Sequence, residues 1–283
     1  MIDIVTVVFQ EELPILRLQA ESIELYCQNM MLGNIVVVIN DDSMSTADVD
    51  PAWYGNMAER VQIVHRQELA DQWADNGWLT QQLCKLLATA DRTISKWTMI
   101  LDAKTILIQP VLKERLFNKQ GQLTWGYAPI VPVFEPSRRM VSDLFGINQK
   151  DVAGPAGIPF FFNNEIVRDM IKEIERRTNK LFATWFQEAG MITEFILYSG
   201  YVQYRYGSLS HLYTNKFFKA YTLCNMCHTE AQQFDLKFDQ MKAPSNITVS
   251  IHRNAWAQLT QPQQKQYQEF LLSKGISRAK ELV

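Results

Sequence analysis

The chain has 283 residues, 47% of them hydrophobic and 20% charged, a composition that can bury a sizeable core and excludes a disordered polymer. Lys and Arg total 28 against 30 Asp and Glu, a formal net charge of −2, so no strong field draws nucleic acid or an anionic membrane. The apolar run Ile4 to Phe9 is far shorter than the roughly 20 residues a membrane span needs, and no other stretch is long enough either. The start, MIDIVTVVFQEELP, lacks a basic leader and a small-residue cleavage site, so the expected compartment is the cytoplasm.

Ile2 to Phe9 is a β-branched run and predicts a buried strand. Leu16, Ala20, Ile23 and Cys27 then recur at helical spacing. Asn34 to Ile39 predicts a second buried strand that Asn40-Asp41-Asp42 ends, and Ser43 to Gly55 reads as a loop. Val61 to His65 predicts a third strand. Asp75-Asn76-Gly77 opens a helix over Trp78 to Ala90, with Leu79, Leu83, Leu86 and Leu87 inward and Gln81, Gln82 and Lys85 on another face.

Trp97 to Ile108 reads as one fourth strand with Asp102-Ala103-Lys104 at its centre. Gly121 to Pro136, broken by three prolines, predicts edge strands or loops, and Gly154 to Pro159 a loop. In the first of these, Trp125, Tyr127 and Phe134 read as core or as a sugar-stacking wall. Phe160 to Phe162 is a short strand. Asn163 or Asn164 caps a helix ending at Arg176-Arg177, Thr193 caps another, and Ile247 to Ile251 is a late strand before His252. A last helix runs from Thr260 to Gly275. Strands alternating with helices, nearly all apolar, indicate an α/β fold with a mostly parallel sheet covered on both faces.

Cys27 and Cys84 fall in apolar helical patterns and read as buried thiols. Cys224-Asn225-Met226-Cys227-His228 spells a haem-attachment pattern, but no export signal accompanies it and no second ligand pair suits zinc, so ordinary thiols are expected.

In an open parallel sheet, ligands gather at the carboxyl ends of the strands. Those ends are Phe9-Gln10, Asn40-Asp41-Asp42, His65-Arg66 and Asp102-Ala103-Lys104. Asp102 stands out, because a carboxylate inside so apolar a run is costly unless it is paired, metal-bound or at the sheet's open end. It is either a salt-bridge partner, the residue after a strand ending at Leu101, or a functional group. Glu194 shares a helix face with Tyr198 and Tyr201, and is either a first-turn acid complementing the helix dipole or a catalytic one. His252 is either structural or a ligand. The GxGxxG, GxxxxGK[ST] and GxSxG patterns are absent, which disfavours a dinucleotide site, a P-loop and a hydrolase elbow.

Taken in order, IDIVTVVFQEELPILRLQAESI, IVVVINDD, GWLTQQLCKLLA, WTMILDAKTILIQP, ITEFILYSGYV and VSIHR resemble the GT-A-fold glycosyltransferase-like proteins of bacteria and their phages. The likeness covers roughly residues 1 to 255 and is weak from 110 to 185. It implies one Rossmann-like GT-A domain over 1–283, with a nucleotide-binding half (1–110), an acceptor half (111–255) and a C-terminal helix (256–283). It also implies transfer of a sugar from a nucleoside-diphosphate sugar to a hydroxyl of a small-molecule or glycan acceptor. Thr6 to Phe9 with Asn40 and Asp41 would hold base and ribose, Gln81 and Lys85 would face the donor, and Glu194 would be the general base. The family's metal-binding D-x-D is here Asp102-Ala103-Lys104, a DxD-like motif with a cation in second place. Three outcomes are open. Lys104 replaces the ion; Asp102, His252 and diphosphate still hold Mn²⁺ or Mg²⁺; or turnover is lost, leaving a module that binds glycan or nucleotide. A nucleotidyltransferase is the other enzyme alternative, although the Gly-rich basic loop it needs after the first strand is missing.

Overall fold

A computed structural model of the chain describes residues 1–28, 32–155, 158–215, 220–223 and 233–282. In chain order the elements are β1 (Ile2–Val8), α1 (Leu13–Tyr26), β2 (Leu32–Ile39), a 3-10 stretch (Pro51–Arg60), β3 (Val61–His65), α2 (Gly77–Asp91), β4 (Trp97–Ile100) and β5 (Thr105–Leu107). After these come α3 (Lys113–Leu116), β6 (Tyr127–Ala128), α4 (Glu135–Phe145), β7 (Gly154–Pro155), β8 (Phe160–Asn163), α5 (Asn164–Thr178), α6 (Phe182–Ala189) and α7 (Glu194–Tyr206). The chain closes with β9 (Ala220–Leu223), α8 (Phe234–Met241), β10 (Thr248–Ile251), α9 (Arg253–Trp256) and α10 (Gln261–Ser273).

The main sheet has the order β3-β2-β1-β4-β8, parallel except for β8. Every side chain of β1 is buried, as expected of a central strand covered on both faces. From β1 the chain steps outward through α1 to β2 and through the Pro51–Arg60 stretch, on which α1 packs, to β3. The return from β3 to β4 crosses back past β2 and β1, and α2, on that connection, packs against α5, α6 and α7. The caps at Asn76, Asn163 and Thr193 all form, each side-chain oxygen accepting from a backbone N–H of the first turn. At the amino end of β1 the Asp3 carboxylate is fully buried and accepts from Asn34 N, Ile94 N, Ser95 N and Ser95 Oγ at 2.7–2.8 Å. Gly33 leaves it that room, since a Cβ there would lie 2.0 Å from Asp3 Oδ1.

The predicted strand Trp97–Ile108 is instead two strands in two sheets. β4 ends at Ile100, the chain turns at Asp102 with Thr105 N donating to Asp102 O (2.8 Å), and β5 joins β10 and β9 in a three-stranded sheet. Gln19 of α1 fastens this turn, its Nε2 donating to Asp102 O (2.6 Å) and Thr105 O (3.0 Å). A second apolar core lies between the small sheet, α8, α10 and Leu18 of α1. Three further differences concern local punctuation. The end of the expected Ser43–Gly55 loop and the residues after it, Pro51–Arg60, coil into 3-10 turns. Pro136, read as a break, lies in the first turn of α4, where its missing N–H costs nothing. The C-terminal segment holds α10 and a separate 3-10 turn over Ser277–Glu281. Cys27 and Cys84 are fully buried free thiols, and Trp125 is core at 1% exposure. Cys224 to His228 lie outside the described residues. Among those described, no helix is long and apolar enough to cross a membrane.

Candidate active site

The carboxyl ends of β1, β2 and β3 are stitched to one another. Asn40 Nδ2 donates to Thr80 Oγ1 (3.0 Å) and Gly77 O (3.4 Å), while Arg66 Nη1 donates to Asn40 Oδ1 (3.2 Å). Asn40 is 2% exposed and so ties β2 to the start of α2 rather than offering itself to a ligand. Thr6 is likewise sealed inside the sheet. Of the four residues expected around base and ribose, Phe9 and Asp41 keep accessible surface; Thr6 and Asn40 act beneath them. Asp41 accepts from Ser43 Oγ (2.6 Å), Ser43 N (3.0 Å) and Gln10 N (3.2 Å), and the Ser43 hydroxyl leads in holding its carboxyl below the usual range. Phe9 packs beside Gly77, where an added Cβ would sit 3.6 Å from its ring. Gln81 is half-buried on α2.

Beneath this rim lies a buried charge network. Lys85 Nζ stands 2.9 Å from Asp102 Oδ1 and 2.9 Å from Glu194 Oε1. Lys104 Nζ stands 3.3 Å from Asp102 Oδ2. The Phe195 ring, centred 5.1 Å from Lys85 Nζ, closes one side, and the Gln82 amide, oriented with its nitrogen inward, donates to Glu194. Burial opposes the charge on Lys85, but the carboxylates of Asp102 and Glu194 outweigh it and hold the ammonium protonated far above neutral pH. Burial likewise opposes ionisation of Asp102, and the two flanking lysines overcome it, holding that carboxyl well below its usual range. Glu194 has Lys85 alone, so burial wins and its pKa is raised.

This geometry bears on three expected roles. The Lys85 side chain, expected to face the donor, is 3% exposed, and its ammonium is engaged by two carboxylates. Both oxygens of Asp102 face ammonium groups. His252 caps α9, its Nδ1 accepting from Asn254 N (3.2 Å), and burial, Lys104 and Arg253 together depress its pKa. No group of three His, Cys, Asp or Glu side chains able to hold a metal occurs among the described residues. In the protein alone, one doubly paired carboxylate and one capping histidine do not make a donor set for Mn²⁺ or Mg²⁺. Glu194, expected as general base, is 0% exposed and held by Lys85 and Gln82, so its carboxylate has no face open to an acceptor hydroxyl here.

Lys104, with 20% of its side chain exposed, is where the network reaches a cavity of about 350 Å³. The cavity lies between the start of α1 and the end of β10, and its walls include Glu12, Ile15, Ile251, Arg253 and Trp256. Sequence reading missed Glu12 and Trp256. The one available signal was position: Glu12 stands at the junction of the first strand and helix, at the same sheet edge as Asp102.

A main sheet ordered β3-β2-β1-β4-β8, left at the Asp102 turn for a small second sheet, defines a GT-A glycosyltransferase-type fold. The galactosyltransferase LgtC, solved in complex with donor and acceptor sugar analogues, shares it at 12% identity over 96% of this chain and 95% of that one, with a TM-score of 0.53. An active-site mutant of LgtC matches at 11% identity, the same coverage and a TM-score of 0.53. No protein-family model matches the chain, and no curated protein sequence matches it.

Proposed function

We propose that this chain transfers a sugar from a nucleoside-diphosphate sugar to a hydroxyl acceptor, with the Lys104 ammonium in place of a metal ion at the leaving diphosphate. The observation that carries the reading is the position of Lys104. Its Nζ is fixed 3.3 Å from Asp102 Oδ2 at the end of the parallel strands, partly exposed beside a cavity. A cation held there before reaction needs no reorganisation when charge develops on the departing diphosphate, which is how preorganised groups lower a barrier. Asp102, held between Lys85 and Lys104, fixes the ammonium in place. Glu194 and Lys85 serve as its buried foundation. Phe9, Asp41 and Gln81 are the accessible groups proposed to face the nucleoside.

The test is thermal unfolding of the full chain with UDP, GDP and their sugars, with Mn²⁺ and with EDTA. A ligand that binds only the native state raises the melting midpoint. The expected result is stabilisation by one nucleoside diphosphate that persists in EDTA, with Lys104→Asp converting it to Mn²⁺ dependence. No response to any nucleotide would remove the reading. A second reading, binding of nucleotide or glycan without turnover, is favoured by the sealed position of Glu194. Hydrolysis or transfer of a nucleotide-sugar by the wild-type chain decides against it.

A further inference from the structure

A second cavity, of about 710 Å³, lies between the segment that follows β3, the last turns of α2, and α5 and α6. It shares no lining residue with the cavity at Lys104. Its volume falls within the roughly 300–1,000 Å³ that small-molecule sites occupy. The floor is apolar: Leu87 and Phe182 are buried, and Leu69 and Ile171 are half-buried beside them. Leu181, 71% exposed, also lines it and offers apolar surface that an occupant would take out of water.

The charges around this floor favour one sign of ligand. Glu68, Asp71, Asp91 and Glu175 line the cavity against Arg168 and Lys172. Arg168 is committed to the backbone, with Nε donating to Ala90 O (2.8 Å) and Nη2 to Thr93 O (2.7 Å). Lys172 is therefore the one uncommitted cation of the lining, and an anionic ligand would meet it amid an excess of carboxylates. Glu175 Oε1 accepts from Phe182 N (2.9 Å), and Glu68 stands 3.9 Å from Arg92. Asp71 and Asp91 make neither a hydrogen bond nor an ion pair with any described residue. Burial raises the Asp91 pKa, and Arg92 and Arg168 pull it back only in part, so its charged form gains from one more cation nearby.

We propose that this cavity binds a small organic cation, an amine or guanidine on an aliphatic or aromatic body. The body lies against Leu87, Ile171 and Phe182, and the cationic head is drawn to Asp71 and Asp91. The site is independent of the transferase reading, since none of its walls belongs to the groups proposed to face donor or acceptor.

Hexylammonium and phenethylammonium are titrated into the full chain, with hexanoate and hexanol as counterparts that keep the apolar body and reverse or remove the charge. Saturation-transfer NMR detects contact and calorimetry gives affinities. The proteins are wild type, the double variant Asp71→Asn with Asp91→Asn, Leu181→Ser and, as a distant control, Asp235→Asn on α8. Asp71, Asp91 and Leu181 are all exposed, so these replacements leave the core intact. The expected result is saturable binding of at least one ammonium, weaker as salt is raised. Hexanoate should bind about tenfold or more weakly, because like charges face each other. The double variant should weaken ammonium binding about fivefold, the size of two partly exposed charge contacts. Leu181→Ser should weaken it too, and the control should not change it. Binding of neither ammonium overturns the proposal. So does hexanoate or hexanol binding as tightly as the ammonium ions, or an affinity that the double variant leaves unchanged.

Discussion

Replacing Lys85 by methionine preserves most of the side chain and deletes the charge shared by two buried carboxylates. Lys85 is 2% exposed, with Asp102 and Glu194 each 2.9 Å from its Nζ. Removing one partner from a buried ion pair costs about 3–5 kcal/mol, because the remaining charge stays desolvated. Asp102 still has Lys104, so the loss falls mainly on Glu194, whose pKa is already raised by burial. Without Lys85 it rises further. A carboxyl with a raised folded-state pKa binds a proton more readily in the folded than in the unfolded chain. Its contribution is therefore present below the unfolded pKa and lost as pH rises through the folded one. The variant should lose about 3 kcal/mol at pH 8, equivalent to roughly 6–12 °C in melting midpoint, and clearly less at pH 5. Denaturant unfolding at both pH values measures this, and Lys85→Met with Glu194→Gln should recover part of the deficit. A Lys85→Met protein within about 0.5 kcal/mol of wild type at pH 8, or one equally destabilised at both pH values, would refute the assignment of a buried network.

Three further outcomes are expected. Asp3→Ala leaves the N–H groups of Asn34, Ile94 and Ser95 without their acceptor and should cost about 4 kcal/mol in denaturant unfolding; a loss under about 1 kcal/mol would mean that water replaces the carboxylate. Gly200→Ala gains about 1 kcal/mol of helix propensity but places a Cβ 2.1 Å from Val141 Cγ1 where α7 meets α4, an overpacking of about 1–3 kcal/mol, so a net loss is expected and a gain in melting midpoint would show that α4 yields freely. Lys104→Ala should weaken nucleoside-diphosphate affinity about tenfold or more by calorimetry while moving the melting midpoint of the free protein little, since its side chain is partly exposed; unchanged affinity would place the diphosphate elsewhere.

The sequence made some of this fold readable because local signals agreed with the tertiary structure. β1, β2 and β3 are rich in Val and Ile, and α2, α5 and α7 start where Asn76, Asn163 and Thr193 cap them. The β4–β5 division was hidden because apolar sequence flanks Asp102 on both sides. What breaks the strand is Gln19, 83 residues earlier, gripping the carbonyl of Asp102. At the site, Asp102 and Lys104 were visible as charges in an apolar run. That Lys85 would be enclosed between Asp102 and Glu194, the latter 109 residues away, depends on how α2 and α7 pack and leaves no mark in residue spacing. The same holds for the cavity that Glu12 and Trp256 line, which forms where the end of β10 is brought beside the start of α1.

Gln19 holds the Asp102–Thr105 turn through main-chain carbonyls alone. The shape of that turn is thereby independent of which side chain stands at position 104. A replacement at position 104 can therefore change the charge offered at the turn while leaving its backbone as it is.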